Sequence, residues 1–71
     1  MRLSEMLITL RKEFKVPQSS IAKAVGVSTT HYQNYEYGKH EPTTTILISL
    51  ADYFDVSLDY LVGRSDDPAR K

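Results

Sequence analysis

A chain of 71 residues with 41% hydrophobic and 25% charged side chains is one domain at most, too small for a large substrate-enclosing cleft and too apolar for a disordered tail. It holds no cysteine, which excludes a disulfide staple and makes a cytoplasmic setting the simpler expectation. Its formal net charge of zero argues against a polyanionic partner only as a total: residues 1–40 carry six basic groups against three acidic, and residues 41–71 carry three against six. The first half is the one suited to face an anion.

Leu3, Met6, Leu7, Leu10 and Phe14 recur at three- and four-residue steps, which predicts an amphipathic first helix from Leu3 to Phe14. Pro17 breaks it and is well placed to open the next helix, predicted from Pro17 to Val25 with Ile21, Ala22 and Val25 inward. Gly26 suits the left-handed stop of that helix, and Ser28 suits the cap of a third, predicted from Thr29 to Tyr37 and ended by Gly38. Pro42 and Thr43 signal a fourth start, with Leu47, Leu50, Ala51 and Phe54 as its stripe. Ser57 caps a short fifth helix from Leu58 to Val62, which Gly63 ends. Residues 64–71 are polar, contain Pro68 and are expected to form a flexible tail, leaving residues 1–63 as the domain. No apolar run approaches membrane-spanning length, and the polar start from Met1 to Glu5 does not resemble a signal peptide.

Only Gly26, Val27 and Ser28 separate helices two and three, so the pair must cross steeply, as a helix-turn-helix does. At about 100° per residue, Ser28, Tyr32, Tyr35 and Glu36 fall on one side of helix three while Thr30, Gln33, Asn34 and Tyr37 fall opposite. The aromatic side is expected to pack and the polar side to face outward. That outward stripe carries no ionised group, yet its members donate and accept hydrogen bonds, and Asn and Gln amides match the adenine edge. A short helix needs a polar solvent face in any case; the tight turn before it favours base edges.

Gln18, Ala22, Gly26-Val27-Ser28, Tyr32, Tyr35-Glu36, Gly38-Lys39 and Pro42, with the ending Val56 to Gly63, resemble the pattern of the phage repressor and Cro type (XRE) of helix-turn-helix domains. The resemblance covers about Leu7 to Gly63. It implies an all-α, five-helix, lambda-repressor-like DNA-binding domain that lays helix three in the major groove of double-stranded DNA. By the same resemblance, Thr29, Thr30 and Asn34, with Gln33 beside them, would read bases. Gln18 would contact a phosphate and brace helix three, while Tyr37, Lys39 and His40, with the backbone amides opening helix four near Thr43 and Thr44, would hold the phosphate on the other side. Arg11 and Glu36 match a pair that forms a structural salt bridge between helices one and three.

The sequence also departs from the pattern. Pro17 stands where Ser or Thr is usual, Tyr32 and Tyr35 replace aliphatic residues, and Glu41 puts an acid in the phosphate-facing loop, which predicts modest, salt-sensitive affinity. No catalytic constellation, cofactor site or metal site is expected: His31 and His40 are the only histidines, and they lack flanking cysteines or carboxylate clusters. The expected function is a transcriptional regulator, a repressor that binds an inverted-repeat operator as a homodimer. Its dimer surface is expected around Leu58, Tyr60, Leu61 and Val62, apolar side chains left over once the core is filled. The alternative is an antitoxin or adaptor that uses the fold for protein contacts through Tyr53, Tyr60 and Val62.

Overall fold

The first helix, α1 (Arg2–Phe14), follows from its apolar spacing, with Leu3, Leu7 and Leu10 buried. A computed structural model describes residues 2–69, for Arg2 the backbone alone. Four more helices complete the described chain: α2 (Gln18–Val25), α3 (Thr29–Glu36), α4 (Thr44–Phe54) and α5 (Leu58–Leu61), with no strand among the described residues. Their ends differ from the sequence expectation by a residue or so. Pro17 lies just outside α2 with extended geometry at φ −75° and ψ 156°, and Tyr37 caps α3 rather than belonging to it.

The helix starts are chemically specified. Ser28 Oγ accepts from the His31 amide at 3.0 Å, Thr43 Oγ1 from the Ile46 amide at 3.3 Å, and Ser57 Oγ from the Tyr60 amide at 3.1 Å. Each satisfies an amide that the first helical turn leaves without a partner. Helix α2 has no such side-chain bond, so its entry rests on the fixed proline torsion. Gly26 at φ 84° turns the chain after α2, its amide donating to the Ala22 carbonyl, and only glycine takes that conformation without penalty.

The core joins all five helices. Ile21, Ala22 and Val25 of α2 meet Leu7 and Leu10 of α1, Tyr32 and Tyr35 of α3, and Leu50, Ala51 and Phe54 of α4, with Val56 and Leu61 closing one side. Helix α3 rests on both α1 and α2, and α4 packs under α2.

Two expectations are corrected by burial. Phe14 ends the predicted inward stripe of α1 but is 45% exposed, and it lies edge-on against Phe54 with ring centroids 5.1 Å apart. Leu61 is 0% exposed and belongs to the core, so it cannot form part of a dimer surface. In a four-residue helix that rests on α4 and α1, one side chain turns inward, and that one is Leu61. Leu58, at 41% exposure, with half-buried Tyr60 and Val62, remains outside.

The polar segment after Gly63 runs back along α5. The Asp59 carbonyl accepts from the Arg64 and Ser65 amides at 2.7 and 3.2 Å, and the Ser57 amide donates to the Pro68 carbonyl at 3.0 Å. Among the described residues no helix is long and apolar enough to cross a membrane.

Candidate nucleic-acid interface

Helix α3 divides into two flanks. Tyr32, Tyr35 and Glu36 are buried, while Thr29 and Thr30 are exposed and Gln33 and Asn34 half-exposed. With Tyr37, 63% exposed at the C-cap, these five outward residues span an arc of about 140° at the helical pitch. The arc carries hydroxyl and amide groups and no formal charge, so it offers donors and acceptors without a preference for one sign of ion.

The buried flank is tied by one carboxylate. Arg11 of α1 donates to Glu36 through Nε to Oε2 at 2.7 Å and through Nη2 to Oε1 at 3.2 Å, a two-pronged pair. Gln18, the first residue of α2, donates through Nε2 to Glu36 Oε1 at 3.1 Å. Gln33, back on α3, donates through Nε2 to Gln18 Oε1 at 2.9 Å. The chain Arg11, Glu36, Gln18, Gln33 therefore crosses three helices and surfaces beside the outward arc.

Burial alone would push the Glu36 carboxyl up, because its side chain is 2% exposed, but the Arg11 hydrogen bonds, with help from Tyr32 and Gln18, hold it below the ordinary carboxylate range. Glu36 is thus charged at neutral pH. The neighbouring Tyr32 hydroxyl is buried with no hydrogen bond of good geometry, although it lies within electrostatic reach of that carboxylate. Burial first, and the carboxylate second, push the Tyr32 hydroxyl well up from its ordinary value, so it stays protonated.

The segment after α3 is pinned to it. The Asn34 carbonyl accepts from the Lys39 amide at 2.9 Å and the His40 amide at 3.4 Å, and Gly38 turns at φ 75°. Lys39, His40, Thr43 and Thr44 are all exposed, and the Thr43 hydroxyl oxygen is engaged as the cap of α4. The His31 and His40 rings stack, with centroids 5.9 Å apart and planes 9° from parallel, and His31 also lies edge-on to Tyr35 at 5.1 Å. His31 is exposed on α3 but falls outside the outward arc. Gln18 braces α3 through Gln33, a partner that nothing local in the sequence singles out, since the two lie 15 positions apart.

The chain is similar to known helix-turn-helix proteins. The family described as Helix-turn-helix matches residues 7–61. The chain is 38% identical over 64 residues to the cryptic phage CTXphi transcriptional repressor RstR of Vibrio cholerae, which covers 90% of this chain and 57% of the relative. It is 36% identical to the HTH-type transcriptional regulator YobD of Bacillus subtilis over 94% of this chain and 60% of that protein. The chain thus spans less than two thirds of these relatives' length. Among solved structures, the P22 c2 repressor in complex with synthetic operator 9T superposes with a TM-score of 0.84 at 29% identity, covering 92% of this chain and 98% of that one. A transcriptional regulator from Listeria innocua reaches the same TM-score at 35% identity, covering 92% of this chain and 61% of the other.

Proposed function

The chain belongs to the XRE type of the helix-turn-helix family, and on that premise we propose that it is a sequence-specific regulator of transcription, not an enzyme, that reads double-stranded DNA with α3. The observation that carries this is the uncharged outward arc of Thr29, Thr30, Gln33, Asn34 and Tyr37, backed by a buried, ion-paired flank that leaves the arc accessible. The similar P22 c2 repressor was solved on an operator, which supports the same docking here. In the proposed complex, Thr29, Thr30, Gln33 and Asn34 meet base edges in the major groove. Gln18, Tyr37, Lys39, His40 and the start of α4 at Thr43 and Thr44 lie on phosphates. Glu41 in the same segment opposes a phosphate and keeps the affinity modest, while the cationic contacts, Lys39 among them, make it sensitive to salt.

The reading extends to a repressor in the cytoplasm, with residues 1–63 as the DNA-binding unit and 64–71 as an appended tail. Two copies bind an inverted repeat, because one recognition helix reads only a few base pairs and two-fold pairing multiplies specificity. The test is a footprint on the promoter of its own gene. A protected inverted repeat with half-sites one turn of DNA apart is the expected result. A tight complex with another protein, and no protected DNA at low salt, would instead make the chain an adaptor.

The pairing surface is proposed at Leu58, Tyr60 and Val62. Tyr60→Glu is expected to shift the protein toward monomer in sedimentation and to weaken operator binding, with helicity by circular dichroism unchanged. A variant that sediments and binds as the parent does moves the pairing surface elsewhere.

A further inference from the structure

We propose that Gln33 is a reader of exocyclic amines: the hydrogen-bond chain behind it commits its amide nitrogen inward and presents its carbonyl oxygen to the groove, where it selects the N6 amine of adenine or the N4 amine of cytosine. This rests on the duplex reading above and adds the chemistry of one position.

The polarity of the chain is dictated by its far end. A guanidinium only donates and an ionised carboxylate only accepts. Glu36 Oε1 accepts from Arg11 Nη2 at 3.2 Å and from Gln18 Nε2 at 3.1 Å. Turning the Gln18 amide over would set its oxygen against the carboxylate, two acceptors facing each other in a site where the Glu36 side chain is 2% exposed. Gln18 therefore presents Oε1 to α3, and whatever meets it must donate. Gln33 does so through Nε2 at 2.9 Å. One of its two N–H hydrogens is consumed there, so Gln33 cannot offer the paired donors that the O6 and N7 acceptors of guanine demand. Its carbonyl remains as acceptor, and Gln33 is half-exposed on the outward arc. The orientation is thus set by an arginine on α1 that sits three links away. Gln18 acts here as a positioning residue and Gln33 as the one that touches the base.

The experiment is a double-mutant cycle between protein and DNA. Sites are first selected from a random duplex pool with the parent protein and with Gln33→Ala, which identifies the base pair whose preference depends on Gln33. At that pair the exocyclic amine is then removed, adenine to purine or cytosine to 2-pyrimidinone. The expected result is a loss of about fivefold in affinity for the parent, the size of one net hydrogen bond, and no further loss in Gln33→Ala. In Gln18→Leu, which frees the Gln33 amide to turn, that loss should fall by half or more, with helicity unchanged. Coupling of Gln33 to an acceptor, such as loss on 7-deazaguanine substitution without loss on amine removal, overturns the inference. So does full amine coupling in Gln18→Leu, or a Gln33→Ala selection identical to the parent's. A pool that yields no enriched site at all removes the duplex reading itself, and this inference with it.

Discussion

Arg11→Met is expected to lower the unfolding free energy by about 3 kcal/mol at pH 7 in urea titrations, the lower end of what breaking a buried pair costs. Arginine's side chain is 23% exposed and that of Glu36 only 2%, so the substitution keeps the apolar stem while leaving a carboxylate that water cannot reach. For a domain of this size that is most of the available stability. The pH dependence distinguishes this mechanism from lost packing. In the parent the folded Glu36 carboxyl lies below its ordinary value of 4.5, so its contribution is complete above that value and disappears as pH falls through the folded one. In Arg11→Met burial prevails, the folded carboxyl lies above its ordinary value, and acidification relieves the penalty. The deficit between parent and variant should therefore shrink between pH 7 and pH 4. An equal deficit at both would show that the charge pair is incidental.

Thr30→Ala combined with Asn34→Ala should weaken binding to the selected operator by about 100-fold, two base contacts of ordinary worth, while leaving affinity for unrelated DNA within about twofold. Both side chains lie on the outward arc, Thr30 exposed and Asn34 half-exposed, and neither belongs to the core, so helicity should hold. Base contacts carry no counterion release, and the slope of log affinity against log salt should not change. Lys39→Ala makes the contrast: it should weaken specific and unrelated DNA alike and reduce that slope by about one. Fluorescence anisotropy across a salt series measures all four quantities. If the double variant loses unrelated DNA as steeply as operator, α3 is not the element that discriminates.

Much of the fold could be read from spacing and punctuation. Leu3, Leu7 and Leu10 are inward because three- and four-residue steps allow one buried stripe, and Ser28, Thr43 and Ser57 cap helices because their hydroxyls compete for free amides. The failures come where the local pattern is too short or the partner too distant. Helix α5 has four residues, too few for periodicity to distinguish Leu61 from Leu58. Phe14 has the right spacing to be buried, and only the position of Phe54 on α4 shows that its ring is an edge contact at the rim. The Arg11–Glu36 pair, 25 residues apart, was accessible through family resemblance and not through charge pattern. Resemblance also implies that Gln18 braces α3, but not that Gln33 is the partner, because that bond exists only where α2 and α3 cross.

The split of α3 into a bound flank and a free one has a consequence for how such proteins diverge. Thr29, Thr30 and Tyr37 are exposed outside the core, and exchanges at such positions usually shift stability by less than about 0.5 kcal/mol. On the proposed docking, descendants of this scaffold could be readdressed to new promoters by a few substitutions at little cost to foldedness. Gln33 is the exception: an exchange there also removes the bond to Gln18, and through it disturbs the partner of the Glu36 carboxylate.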